Sequence, residues 1–511
     1  MFKRALVSTS DKTGLIELLK PLVKAGCKIV STGGTSKYLR DNSIPVTEVS
    51  EVTGFPEMMD GRVRTLHPKI HMGLLARSHV VEDMKLLKEY DVEPFDLVVV
   101  NLYPFEQAYK KSVRGPELIE QIDIGGPSLL RAAAKSFERI TVVCDPTDYK
   151  LVHEMTTQNQ NSLETRKELA AKVYRHCSYY DGWVSQALSQ KSWEEQDTLN
   201  LGLRKKSNLR YGENAHQKAV WYESSHEDSL SLTRAHQLQG KELSYNNILD
   251  LEAAIGTVCE YSEPTAVIIK HLTPCGVACA SQIETAYTRA FDADSVSAFG
   301  GIVALNRKIT APLAEKLAGP FLECVIAPGI DSDGLSKLNQ KKNLRVLTLE
   351  NLDKEYFFDQ RAFEVKSLRG GALIQSLDRS ESWNSQWKIV GPVPSKNIQD
   401  DLVFAQKVVR HVKSNAIVVV KDMQTLGICG GQTNRVDSVK WALERAKGKG
   451  KDLVLGSDAF FPFRDSIDLA AKGGVRWVIQ PGGSLRDAEV ETAAQEYGLG
   501  MVITGVRHFK H

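Results

Sequence analysis

Ala5-Leu6-Val7-Ser8, the run 14–23, Cys27-Lys28-Ile29-Val30-Ser31 and Thr32-Gly33-Gly34-Thr35-Ser36-Lys37 follow one another at the start of the chain, and their reading decides the fold. The first is a short apolar strand. The second carries Leu15, Leu18, Leu19 and Leu22 at helical spacing. The third is another strand, and the fourth is a glycine turn that opens another helix. Leu97-Val98-Val99-Val100 and Ile140-Thr141-Val142-Val143 are continuous apolar strands, the pattern of a parallel sheet covered on both faces. Repeated βα units of this length predict a doubly wound α/β domain. A long helix over about 163–188, apolar at Leu169, Val173, Cys177, Val184 and Leu188, closes the region.

Working outward, 189–208 is polar and aperiodic, which predicts a domain boundary and a first domain over 1–195. In the remainder, 200–511, strand-like runs at 266–269 and 301–304 precede a second polar stretch, 376–400, and runs at 416–420 and 475–479 follow it. Two α/β subdomains dividing near 376–400 are expected. At roughly 100–200 residues per domain, 511 residues accommodate this count.

Composition narrows the function classes. Hydrophobic residues are 42% and charged residues 25%, as in soluble globular proteins. Lys and Arg number 65 against 63 Asp and Glu, a net charge of +2, which argues against a dedicated nucleic-acid binder but permits local anion pockets. The eight cysteines include no Cys-x-x-Cys pair, which suits a reducing cytosol. Met1-Phe2-Lys3-Arg4 runs into apparent structure with no signal-peptide pattern, and no apolar run reaches the ~18 residues of a membrane span. A cytoplasmic multidomain protein is expected.

Chemistry-bearing residues cluster where strands hand over to helices. Ser10-Asp11-Lys12-Thr13-Gly14 and Thr32-Gly33-Gly34-Thr35 combine glycines, hydroxyls and a lysine, as anion cradles do. Taken singly, Ser10 and Thr35 read more readily as helix caps; two such loops at neighbouring strand ends bring the anion reading level with that one. Gly61-Arg62-Val63-Arg64-Thr65-Leu66-His67-Pro68-Lys69-Ile70-His71 is a basic loop, and Pro68 disfavours a regular helix carrying both histidines to a metal. Asn101-Leu102-Tyr103 follows an apolar strand, and Asp123-Ile124-Gly125-Gly126 leads into a helix bearing Arg131 and Lys135 on one face. Alone, Lys135 reads as a solvated helix lysine.

Beyond the boundary, Leu209-Arg210-Tyr211-Gly212 is densely polar, and Lys270-His271 ends an apolar strand, where a His can act as a base and a Lys as a charge stabiliser. Pro274-Cys275 with Cys279 is one residue too long for the zinc-deaminase arm, and no His-x-Glu lies upstream. No metal is expected. Ser457-Asp458-Ala459-Phe460-Phe461-Pro462-Phe463-Arg464-Asp465 reads either as a small aromatic core with a rim ion pair or as a surface for a planar ligand.

Taken together, Ser-Asp-Lys-Thr-Gly, Gly-Gly-Thr, Thr-Leu-His-Pro, Asn-Leu-Tyr-Pro-Phe, Gln-Ile-Asp-Ile-Gly-Gly, Leu-Arg-Ala-Ala-Ala-Lys, Leu-Arg-Tyr-Gly-x-Asn, Lys-His, Phe-Gly-Gly, Ser-Asn and Ser-Asp-Ala-Phe-Phe-Pro-Phe-Arg-Asp stand here in the order of one family. Over 1–511 the chain resembles the bifunctional purine-biosynthesis enzymes that join aminoimidazolecarboxamide ribonucleotide (AICAR) formyltransferase to IMP cyclohydrolase. The resemblance implies a methylglyoxal-synthase-like first domain that closes the purine ring. It implies two cytidine-deaminase-like α/β subdomains, without zinc, that move a formyl group from 10-formyltetrahydrofolate to AICAR, and a homodimer with transferase sites at the subunit interface.

The residue roles come from the same resemblance. For transfer it implies His271 as base, Lys270 as charge stabiliser and Asn415 as an orienting group. Arg210, Tyr211, Gly300, Glu323, Arg435 and Phe460 would contact the nucleotide. Val436, Asp465, Ser484, Leu485 and Arg507 would lie on the folate side or be shared. For ring closure it implies Lys135 for proton transfer with Tyr103 and Asp123 beside it. Ser10, Asp11, Lys12, Thr32, Gly33, Gly34, Thr35, Arg62, Thr65, Asn101 and Ile124 would bind the nucleotide. One position departs: the family pattern has Lys where this chain has Arg64, and an arginine stays protonated, so any catalytic role there is electrostatic. Two rival readings are a purely regulatory first domain and a zinc nucleoside deaminase.

Overall fold

The computed structural model describes residues 2–158, 161–224, 230–353 and 362–511. The chain forms two compact units, Met1–Leu203 and Arg204–His511. Among the described residues no helix is long and apolar enough to cross a membrane.

The first unit is built on a five-stranded parallel sheet. Its strands are β1 (Arg4–Ser8), β2 (Lys28–Ser31), β3 (Thr47–Glu48), β4 (Leu97–Val100) and β5 (Thr141–Val143), in the order β3-β2-β1-β4-β5. All four residues of β4 are buried because helices cover both faces. The helix Leu15–Lys24 contains Pro21, yet buries Leu15, Ile16, Leu18, Leu19 and Leu22. At about 1.5–3 kcal/mol per buried apolar side chain, these outweigh the roughly 3 kcal/mol of an interior proline. The helix Leu163–Leu188 packs on the sheet through Leu169, Val173, Cys177, Tyr180 and Trp183. Leu188, expected on that face, is instead exposed at the helix end.

In the second unit β6 (Leu203–Leu209) pairs with β7 (Ala219–Ser224), and β14 (Phe363–Leu368) pairs with β15 (Gly371–Ser376). The remaining strands are β8 (His236–Gln239), β9 (Thr265–Lys270), β10 (Thr273–Cys279), β11 (Gly301–Leu305), β12 (Leu322–Ala327), β13 (Arg345–Thr348), β16 (Lys388–Val390), β17 (Ile417–Lys421), β18 (Gln424–Cys429), β19 (Leu453–Ser457), β20 (Val475–Gln480) and β21 (Gly500–Ile503). They form one sheet in the order β16-β21-β20-β19-β17-β18-β10-β9-β11-β12-β13-β8.

That order reads the same from either end: each strand has a twin, and the two halves meet at the antiparallel pair β10–β18. The helices match too, Tyr245–Val258 with Lys396–Arg410 and Ile283–Ala293 with Arg435–Ala446. A Cβ on Gly276 would run into the carbonyl of Ala290, and one on Gly427 into that of Ala442, so both halves press a helix on a bare strand at the same point. The halves flanking 376–400 share a buried cluster on one face of the sheet, in which Val267 and Ile269 join Val418 and Val420. Each half also has its own cluster on the other face.

Candidate functional sites

A cavity of about 690 Å³ opens in the first unit beyond the carboxyl ends of β1, β2 and β4. Its lining brings together Ser10, Lys12, Thr32, Gly34, Thr35, Arg62, Arg64, Thr65, Asn101, Tyr103, Asp123 and Ile124. This is where open parallel sheets place ligands, because loops from adjacent strands converge there.

The loops do not work as simple caps. The hydroxyl of Thr35 accepts from the Thr9 N–H (3.0 Å) and donates to the Thr9 carbonyl (2.9 Å), tying the β2 loop to the β1 loop. The amides of Ser10 and Asp11 donate to Asn101 Oδ1 at 2.6 and 3.0 Å, so they are committed to the scaffold rather than to an anion. The β2 loop is different: Gly33 and Gly34 open the helix Gly33–Asp41, where N–H groups have no intrahelical partner. Lys12 Nζ lies 3.3 Å from the Ser10 carbonyl.

Arg64 crosses the floor of this region. Its guanidinium pairs with Glu57 and lies against both Gly33 and Gly61, which have no Cβ to obstruct it. Arg62 pairs with Glu120, itself a lining residue that the sequence did not single out. His67 caps the helix Pro68–Leu75, its Nδ1 accepting from the Lys69 N–H (3.2 Å), so the expected break at Pro68 is a helix start.

Asp123 lines the same cavity as these cations. Burial pushes its carboxyl up, against hydrogen bonds from the N–H groups of Gly126 (2.7 Å) and Tyr103. Tyr180 secures the segment, accepting from the Asp123 N–H at 2.8 Å. No local pattern marks Tyr180, which comes from a helix 57 residues away.

Three expected residues do not line the cavity. Asp11 turns to the Thr13 N–H (2.9 Å). Gly33 lies just outside, beside Gly34. Lys135 is exposed at the last turn of the helix Gly125–Lys135, whose first turn lines the cavity. At 1.5 Å per residue the two ends of this helix are about 15 Å apart, and Lys135 sits at the end away from the cavity.

In the second unit the strand directions gather the expected residues at one end of the long sheet. The end of β9, the starts of β10, β11, β12 and β17 and the ends of β18, β19, β20 and β21 all lie there. Lys270, His271, Gly300, Glu323, Asn415, Arg435, Val436 and Phe460 are on or next to those termini, and Asp465, Ser484, Leu485 and Arg507 follow in the loops beyond. Arg210 stacks on the Tyr211 ring at 5.0 Å. The turn after them is tied to this end through the Glu213 carbonyl, which accepts from Asn246 at 3.3 Å.

His271 and Leu272 form the tip of the β9–β10 hairpin with φ of 52° and 64°. Left-handed backbone costs a non-glycine residue about 1–2 kcal/mol. Asp250 supports the tip by accepting from the Leu272 N–H (2.7 Å), and burial pushes that carboxyl up. His271 is thereby presented, exposed, at the sheet end. Lys270 Nζ donates to the Phe299 carbonyl (2.7 Å) across the bare Gly300. Glu323 is engaged by Arg345 at 2.9 Å.

Asn415 Oδ1 accepts from Arg435 Nη2 (2.8 Å), and Asn415 Nδ2 donates to the Gln432 carbonyl (3.0 Å). The Phe-rich stretch divides: Phe461 is core, whereas Phe463 is exposed with Arg486 over its ring at 4.8 Å. Leu485 is fully exposed. Burial pushes the thiols of Cys275 and Cys279 up to about 12.

The sequence matches the pattern of the AICARFT/IMPCHase bienzyme over residues 133–445 and that of the MGS-like domain over 14–128. It is 47% identical to the bifunctional purine biosynthesis protein PurH of Persephonella marina over 520 aligned residues, covering both chains in full. To the protein of that name in Bacillus subtilis it is 48% identical, covering all of this chain and 99% of the relative. With both patterns present and full-length relatives at this identity, the chain belongs to the AICARFT/IMPCHase bienzyme family.

Proposed function

We propose that this enzyme divides its two reactions between its two units, with formyl transfer in 204–511 and ring closure in 2–203. In transfer, the AICAR amine attacks the formyl carbon of 10-formyltetrahydrofolate. The bond from that carbon to the folate nitrogen breaks, and the proton lost by the amine ends on the departing nitrogen. His271, exposed on a supported turn, takes the proton. Lys270 meets the charge that develops on the formyl oxygen, and Asn415 and Arg435 orient the nucleotide.

In ring closure the carboxamide nitrogen attacks the formyl carbon. The formyl oxygen leaves as water with one proton from each of the two nitrogens that end in the ring. Proton transfer is assigned to Asp123, with Tyr103, because burial keeps its carboxyl above the ordinary range and it lines the cavity. Arg64 and Lys12 supply fixed positive charge, and the opening of the helix Gly33–Asp41 receives the phosphate. The observation that carries this reading is one cavity whose lining holds those cations together with Asp123.

The homodimer and a cytosolic setting are part of the same proposal; among the described residues the eight cysteines form no disulfide. The test is to supply purified protein with AICAR and 10-formyltetrahydrofolate and identify the products. IMP with tetrahydrofolate is expected, and formyl-AICAR alone as the end product would refute the assignment of ring closure.

A further inference from the structure

Asp458 is fully buried at the end of β19, and no part of the scheme above uses it. Its Oδ1 pairs with Arg435 Nη1, and its Oδ2 accepts from the Ser414 hydroxyl at 2.5 Å. Arg435 Nη1 also donates to Ser457 Oγ at 2.9 Å, leaving Nη2 for Asn415. The carboxylate thus reaches Asn415 by two routes, through the guanidinium and through the preceding residue. The carboxy-terminal segment closes around it. His508 N–H donates to the Asp458 carbonyl (2.8 Å), the Ser414 N–H donates to the Lys510 carbonyl (2.9 Å), and the Lys510 N–H donates to the Ser414 hydroxyl (3.1 Å).

The twin half shows that the fold does not require this pair. Asn306 follows β11 as Asp458 follows β19, and the backbone N–H of each donates to the matching strand's first turn, to Thr265 and Ala416, at 3.3 Å. Ile283 opens its helix as Arg435 opens the other, and both are buried. Where Arg435 and Asp458 stand in one half, the other closes the same corner with Ile283 and Asn306. Asn306 spends its amide on backbone groups of Tyr261, Glu263 and Thr265 at 2.7–2.9 Å. A buried ion pair is costly to desolvate and is often replaceable by neutral groups without loss of stability. Its presence only at the end that carries Asn415 therefore points to the site rather than to the scaffold.

We propose that Asp458 is a positioning residue for formyl transfer, holding the Arg435 guanidinium and, through Ser414, the Asn415 amide in the geometry that the nucleotide meets. The inference rests on the assignment of Asn415 and Arg435 to that site.

The experiment uses the full chain. Asp458→Asn copies only the carboxylate's twin and leaves Arg435 buried without its charge partner, so its thermal midpoint should fall while its ring closure of supplied formyl-AICAR is kept. Its KM for AICAR should rise about tenfold or more, the loss expected for a charge-assisted contact, while KM for 10-formyltetrahydrofolate stays unchanged. The double variant Asp458→Asn with Arg435→Ile should fold at least as stably as the parent. Unchanged AICAR kinetics in Asp458→Asn, where Asn415→Ala impairs transfer, overturns the positioning role alone. Parallel loss of stability and both activities in Asp458→Asn, or a double variant that does not fold, also overturns it, because the pair is then structural. If Asn415→Ala and Arg435→Ala both leave transfer intact, the site assignment itself falls.

Discussion

The two halves of the second unit use one plan and reach different ends. Each has a hairpin whose two tip residues carry positive φ, His271 and Leu272 in one half and Asp422 and Met423 in the other. Each tip is supported by an aspartate in the preceding helix. Asp250 accepts from Leu272 N–H, and Asp401 accepts from the N–H groups of Asp422 (2.8 Å) and Met423 (2.5 Å). Because the halves are joined antiparallel, the tips point to opposite ends of the sheet. The His271 tip lies at the same end of the sheet as Asn415, Arg435 and the loops after β19, β20 and β21. At the other end the matching corner is plugged by Asn306. A supported strained turn is thus scaffold in both halves, and chemistry is decided by which side chain sits on it and what faces it.

The largest effect should separate the two tips. His271→Ala is expected to lower formyl transfer by about 10²–10⁴-fold, the worth of a positioned base, with ring closure of supplied formyl-AICAR intact. Asp422→Ala should leave both rates near those of the parent. Assays of both reactions on both variants decide it, and equal losses would break the comparison.

A second contrast is between units, since each site holds an arginine beside a carboxylate: Arg64 with Glu57, and Arg435 with Asp458. If Arg64 acts as a fixed cation, Arg64→Met should slow ring closure by roughly 100-fold, as loss of a preorganised donor does, while Arg64→Lys retains most activity. Titrating IMP into both variants beside single-turnover cyclisation sharpens this. Binding that falls in step with rate would make Arg64 an anchor instead.

Smaller effects should be shared by the twins. Asp250→Ala and Asp401→Ala each remove a carboxylate acceptor from the N–H groups of a strained turn, at a cost of about 1 kcal/mol measured by denaturant unfolding. Only Asp250→Ala should also reduce formyl transfer, because only its tip carries His271.

The smallest expected effect is on pH dependence. Burial raises the carboxyls of Asp250 and Asp401, so the folded state favours their protonated forms. Their contribution to stability is full below the ordinary carboxylate range and is lost as pH rises through the raised values. In Asp250→Asn with Asp401→Asn that part of the decline should vanish from unfolding curves taken across acidic pH.

Legibility differed sharply between element and neighbour. The expected strands at 97–100 and 301–304 and the long helix at 163–188 were readable because apolar periodicity is a local property. The loops of the first cavity were readable for the same reason, since glycines and hydroxyls mark strand-to-helix turns. The placement of Lys135 was not: motif order put it with Asp123, but a regular helix carries it to the opposite end. Leu188 failed similarly, its apolar spacing running past the last turn that meets the sheet.

By itself, the sequence determined the α/β class, the glycine loops, the Arg64 departure and the set of polar segments from which the sites are drawn. Only the tertiary structure decided that β10 and β18 join the two halves antiparallel, that Tyr180 braces Asp123, and that Asp458 stands behind Arg435 while Asn306 takes its place in the twin. The physical reason is that periodicity and turn chemistry act over a few residues. Contacts between residues tens or hundreds of positions apart are set by strand order, direction and register, which no single segment contains.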